Sequence, residues 1–109
     1  MRIHVHETEL AQDSRGRPAG LLISREQGAV KGFCLGISYY DQAEYGTPGI
    51  HEDQESFYVL AGTGTAKVGA AEFPIRPGSS FIAAPGVPHT MKRDAASEPI
   101  KILWAHGAI

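Results

Sequence analysis

The chain has 109 residues, with 10 lysines and arginines against 12 aspartates and glutamates, for a formal net charge of −2. That length makes one domain, residues 1–109, with a single core, and the charge balance offers no basic surface for nucleic acid or an anionic membrane. No apolar run approaches the roughly 20 residues that cross a bilayer, and the first residues lack the apolar stretch of a secretory signal.

In chain order, residues 3–7 read as a first strand with His4 and His6 on one solvent-facing side. The stretch from Ala11 to Gly20 is the most loop-like, with Arg15-Gly16-Arg17-Pro18 as a turn, and residues 21–25 form the next strand. Residues 33–40 alternate: Phe33, Leu35, Ile37 and Tyr39 share one face, and Cys34, Gly36, Ser38 and Tyr40 the other. Neither face carries charge. That pattern fits a strand covered by a second sheet on one side and by a subunit or a lined cavity on the other.

Cys34 is the sole cysteine, which excludes an intrachain disulfide and agrees with a reducing cytoplasm, the expected compartment. Its neighbours are apolar, so it reads as a small buried side chain rather than a nucleophile. Further strands are expected at residues 57–61, 65–68, 72–75, 80–83, 90–92 and 100–106, separated by Gly- and Pro-containing turns. In one such turn, Gly62 and Gly64 are expected to supply positive φ, and Pro85-Gly86 shapes the turn before His89. No window of a dozen residues keeps an apolar stripe at helical spacing. The fold is expected to be all-β, a sandwich or barrel.

Two segments carry chemistry. The first is His51-Glu52-Asp53-Gln54-Glu55-Ser56-Phe57-Tyr58-Val59-Leu60-Ala61-Gly62, and the second runs from Gly78 through Pro85-Gly86-Val87-Pro88 to His89. They offer two imidazoles and a carboxylate on short strands, a donor set that many divalent metals accept. The pair of segments resembles the two motifs of the cupin superfamily, small double-stranded β-helix (jelly-roll) barrels. In that family the first motif places a glutamate six residues before a glycine, after a His-x-His pair. Counting back from Gly62 puts Glu55 in the glutamate slot and His51 in the second histidine slot. The first histidine slot falls on Gly49. Gly78 and His89 fit the second motif, while Arg93 stands where asparagine is common. A second register would put His51 in the first histidine slot, with Asp53 as the charged partner. The match is specific for fold and much less so for activity.

The resemblance implies His51, Glu55 and His89 as ligands of one divalent transition metal: Fe, Mn, Ni, Zn or Co. His51 and Glu55 would come from adjoining strands, and His89 from across the barrel. The position at Gly49 would go to water, to a substrate donor, or to Glu44, Tyr45 or Gln54. The partner would be a small organic molecule, with Tyr39, Phe57, Phe81, Met91 and Trp104 as candidate cavity wall. Catalysis as a dioxygenase, isomerase, decarboxylase or lyase is one expectation, with Glu44, Tyr40 and Asp41 as nearby polar groups. A non-catalytic metabolite-binding or sensing module is the other. His106 reads as structural or interfacial. The uncharged two-faced strand and the family habit also imply a homodimer.

Overall fold

The computed structural model describes residues 2–107. Eight strands dominate it: β1 (Gly20–Ile23), β2 (Cys34–Tyr40), β3 (Gln54–Ala61), β4 (Gly64–Val68), β5 (Ala71–Ile75), β6 (Ser80–Ala83), β7 (His89–Arg93) and β8 (Ile100–Gly107). Every pairing is antiparallel. One sheet has the order β1-β2-β8-β3-β6 and the other β5-β4-β7, so the chain crosses repeatedly between two layers. This is the all-β jelly-roll that the turn spacing and the motifs implied. Among the described residues no helix is long and apolar enough to cross a membrane.

The N-terminal strand expected at residues 3–7 does not form. Residues Glu7–Glu9 make a short 3-10 turn instead, and its cap explains why. The His6 side chain accepts from the Thr8 backbone N–H, while Glu9 reaches back to the His6 N–H. That reciprocal cap satisfies backbone donors locally and outweighs the alternation of Ile3, Val5 and their neighbours. A second short turn, Arg25–Gln27, is capped by Ser24 in the same way and ends on Gly28.

Period-2 alternation builds the core. In β3, Glu55, Phe57 and Val59 point inward while Ser56, Tyr58 and Leu60 point out. In β8 the inward series is Ile100, Ile102, Trp104 and His106, read through their registered partners. Val59, Ile100 and Ile102 are wholly buried beside Phe57, Ala66, Ile75, Ala83 and Met91. Each such aliphatic side chain contributes roughly 1.5–3 kcal/mol by leaving water.

Two glycines of the β3–β4 hairpin differ in purpose. Gly62 has φ +83 and turns the chain, as expected. Gly64 has no positive φ. It is glycine because a Cβ there would lie 2.0 Å from the Lys92 carbonyl oxygen, where β4 meets β7. The expectation of positive φ at Gly64 is therefore corrected to one of close backbone approach.

Candidate metal centre

The register of the five-stranded sheet sets the floor of the site. Ala83 on β6, Glu55 on β3, His106 on β8 and Cys34 on β2 lie opposite one another in one inward-facing row. The next row inward is Phe81, Phe57, Trp104 and Gly36. Polar chemistry thus occupies the end of the barrel, with aromatic packing directly beneath it. Phe57 and Phe81 stack at 4.7 Å, and Trp104 lies 5.2 Å from the His106 ring. His89 enters from the opposing sheet, on β7. His51 comes from the segment that leads into β3.

These placements bring His51, Glu55 and His89 together. Glu55 Oε1 lies 2.8 Å from His51 Nε2 and 3.1 Å from His89 Nε2. All three donor atoms fall within 4.8 Å of one another, and Glu55 and His89 are buried. Ligands about 2.1 Å from one ion stand about 3 Å apart at right angles and about 3.4 Å apart at tetrahedral angles, so the two Glu55–imidazole separations are of the size a shared ion needs.

Hydrogen bonding tells the same story. His89 Nδ1 lies 3.1 Å from the Val87 carbonyl, which can only accept, so Nδ1 donates and Nε2 is turned to Glu55. His51 Nδ1 lies 2.5 Å from Asp53 Oδ1, again an acceptor, so its Nε2 also faces Glu55. With no ion present, a proton on His51 Nε2 bridges to Glu55. Once that proton leaves, two ring nitrogens and a carboxylate oxygen present convergent lone pairs, a set that a cation satisfies. The donor chemistry fits a divalent metal.

Asp53 faces the other edge of the His51 ring. Its Oδ2 lies 2.7 Å from His106 Nδ1, and His106 Nε2 lies 3.2 Å from the Cys34 sulfur. His51, Asp53 and His106 thus form a second cluster of potential ligands. The hydrogen bond from His106, opposed by burial and helped by His51, holds the Asp53 carboxyl below the usual carboxylate range. For His51, burial disfavours the charged ring, but hydrogen bonds with Glu55 and Asp53 prevail and raise its pKa. Burial pushes the Cys34 thiol up, in keeping with a buried side chain rather than a nucleophile.

Asp53, the charged partner in the alternative register, clusters with His51 and His106 rather than with His89. The other suggested donors are directed elsewhere. The Tyr45 hydroxyl donates to Glu72 at 2.8 Å, Gln54 is exposed at the start of β3, and Glu44 is exposed. Asp41 is held by Arg17 at 2.7 and 3.0 Å. Tyr40 does pack on the core, and burial, then the charge of Glu55, raises its pKa. His106 is the residue that sequence reasoning undervalued. Its signal was the alternation Ile100, Ile102, Trp104, His106, which carries an imidazole onto the inward face.

Gly49 pairs with His89 through two backbone hydrogen bonds, Gly49 N–H to His89 O at 2.8 Å and His89 N–H to Gly49 O at 2.9 Å. A Cβ on residue 49 would lie 3.2 Å from His89 Nε2. Residue 49, the first histidine slot in the expected register, thus borders His89 Nε2 and carries no side chain.

The cupin-domain family model matches residues 37–106. The chain belongs to the cupins. Solved cupin structures share the fold over almost its whole length. An RmlC-like cupin from Shewanella frigidimarina is 14% identical, with 100% of this chain and 93% of that one covered and a TM-score of 0.76. The polyketide cyclase RemF from Streptomyces resistomycificus is 22% identical, covering 98% and 80%, also at 0.76. The cupin domain of Schizosaccharomyces pombe Cnp3 is 16% identical at a TM-score of 0.70, where 84% of this chain spans only 60% of that one. No curated protein sequence matches the chain. These likenesses establish the jelly-roll, and this cupin's chemistry rests on its own residues.

Proposed function

We propose that this cupin takes one divalent transition metal at His51, Glu55 and His89 and binds a small organic metabolite on the side left open by Gly49. One observation carries the reading: Glu55 Oε1 lies 2.8 and 3.1 Å from two imidazole nitrogens whose other edges are already hydrogen-bonded. Fe, Mn, Ni, Zn and Co all accept two imidazoles and a carboxylate. When bound, such an ion acts as a Lewis acid toward a carbonyl or enolate oxygen. The chain's own residues shape what reaches it. Glu55 offsets one positive charge, and Phe57, Phe81 and Trp104 give the neighbouring wall an apolar character. A carbonyl- or enol-bearing metabolite suits this combination, and the likeness to a polyketide cyclase is consistent with it.

Turnover as a dioxygenase, isomerase, decarboxylase or lyase would add a proton-transfer group. Of the polar groups named for that role, Asp41 is engaged by Arg17, Glu44 is exposed and Tyr40 is packed on the core, which favours a second reading in which the cupin binds its metabolite without converting it. The deciding experiment starts with elemental analysis of protein purified without chelator. About one transition ion per chain is expected, followed by ligand-dependent stabilisation in a thermal-shift screen of carbonyl metabolites. Protein that stays metal-free after titration with Mn, Fe, Co, Ni and Zn sinks the proposal.

We also propose a cytoplasmic homodimer. The outer face of the five-stranded sheet carries two uncharged rows, Leu35-Ala105-Ser56-Ile82 and Leu103-Tyr58-Ser80, the second continuing into Ile37, which the chain itself already buries. Ile82 and Tyr58 are 56% and 45% exposed. Sheet-to-sheet association of two copies would cover them. Light scattering is expected to give twice the mass of the chain; a concentration-independent monomer contradicts it.

A further inference from the structure

We propose that Asp53 is a positioning residue of the metal centre rather than a ligand, and that His106 in turn fixes Asp53. The proposal rests on the metal site described above and assigns the residues behind it. Asp53 is only 9% exposed, and its two carboxylate oxygens are divided between two rings, His51 Nδ1 on Oδ1 and His106 Nδ1 on Oδ2. An ionised carboxylate accepts only, so both rings donate from Nδ1. For the neutral His51 ring that a metal requires, that choice of tautomer leaves Nε2 as the lone-pair nitrogen, the atom that faces Glu55. His89 reaches the same state through the Val87 carbonyl. The two imidazoles are thus set alike, one by a carboxylate and one by the backbone.

The geometry also removes the rival cluster of His51, Asp53 and His106 as a site for the ion. The two nitrogens of an imidazole point in divergent directions, and a neutral ring has one lone pair. If His51 offers Nε2 toward Glu55, its Nδ1 carries the proton given to Asp53. An ion held by Asp53 would need that proton gone. His106 is closed on both edges: Nδ1 donates to Asp53, and Nε2 accepts from the Cys34 thiol at 3.2 Å. It has no lone pair left for a metal. Cys34 donates to His106, and His106 and His51 both donate to Asp53, so the hydrogen bonds converge on the Asp53 carboxylate, which holds the far edge of the ligating His51 ring. Carboxylates placed in this way orient a ligating histidine and raise its basicity.

The test compares D53A, D53N, H106A and H89A by competition titration of Zn(II) against a chromophoric chelator, with side-chain nitrogen NMR of the Zn-loaded protein. D53A is expected to keep one ion per chain but bind it about 10–100-fold more weakly. D53N, nearly isosteric and retaining one acceptor oxygen, is expected to recover part of the loss and guards against a folding defect in D53A. In the wild-type spectrum His51 should be protonated at Nδ1 with a slowly exchanging proton, and D53A should lose that protection. A merely structural Asp53 would move neither the affinity nor the His51 signal. Unchanged affinity with an unchanged His51 tautomer overturns the role of Asp53 alone. So does a result in which D53A or H106A abolishes binding while H89A retains it, since the ion would then occupy the other cluster. Wild-type protein that binds no ion overturns the centre itself and this proposal with it.

Discussion

His89→Ala is expected to weaken binding of Zn(II) or Co(II) by about a hundred-fold to a thousand-fold. A structural zinc site with four ligands is worth about 10–16 kcal/mol, or roughly 3 kcal/mol per ligand, which corresponds to that loss. His89 has no substitute nearby. Its Nε2 faces Glu55 at 3.1 Å, and residue 49, which lies beside it, has no side chain. His51→Ala should cost a similar amount. His4→Ala should cost nothing, because His4 is exposed and far from motif spacing. The measurement is a chelator-competition titration, backed by the thermal midpoint with and without metal. Metal should raise the midpoint of the wild-type protein and leave that of His89→Ala nearly unmoved, since only an ion that binds the folded state stabilises it. An affinity within threefold of wild type would remove His89 from the site.

How much of this was legible in the sequence depends on the kind of signal each residue carries. The strands were readable because β-branched and aromatic runs are bounded by Gly and Pro turns, and β2, β3, β6 and β8 lie where those runs fall. The failure at residues 3–7 has a local cause. Alternation there is genuine, but His6 and Glu9 cap a 3-10 turn that satisfies its backbone donors locally. His51, Glu55 and His89 were singled out by spacing to Gly62 and Gly78, which is a property of one motif read along the chain. Their convergence depends on two sheets meeting, and spacing alone does not display that.

Asp53 and His106 illustrate the harder case. They are 53 residues apart in sequence and meet only because β3 pairs with β8 in a register that sets Glu55 opposite His106. Asp53 precedes β3, so its side-chain direction is set by the loop, where period-2 reasoning does not apply. Gly64 was misread for a related reason. A glycine needed for close approach of a neighbouring strand looks the same in sequence as one needed for positive φ. Cross-strand register decides these questions, and register is a long-range property.

Gly49→His is expected to strengthen metal binding by about a hundred-fold and to weaken the binding of small carbonyl ligands. The backbone permits the change. Gly49 is not among the positive-φ residues, so glycine is not there for the sake of its φ. Its ladder hydrogen bonds with His89 use only main-chain atoms and survive substitution. A Cβ at this position lies 3.2 Å from His89 Nε2, which asks the His89 ring to give by a few tenths of an ångström while aiming the new side chain at the ligand atoms. A fourth donor there should add roughly 3 kcal/mol, by the same per-ligand reckoning. It would also fill the place that the proposed metabolite uses. Gly49→Ala separates the two effects, because a methyl group adds no donor but occupies the same space. It should leave metal affinity nearly unchanged and still impair ligand-dependent stabilisation. Glycine at residue 49 is then a specificity device, exchanging one protein ligand for an open coordination position. If Gly49→His binds metal no more tightly than wild type, residue 49 does not border the ion, and the open side of the site lies elsewhere.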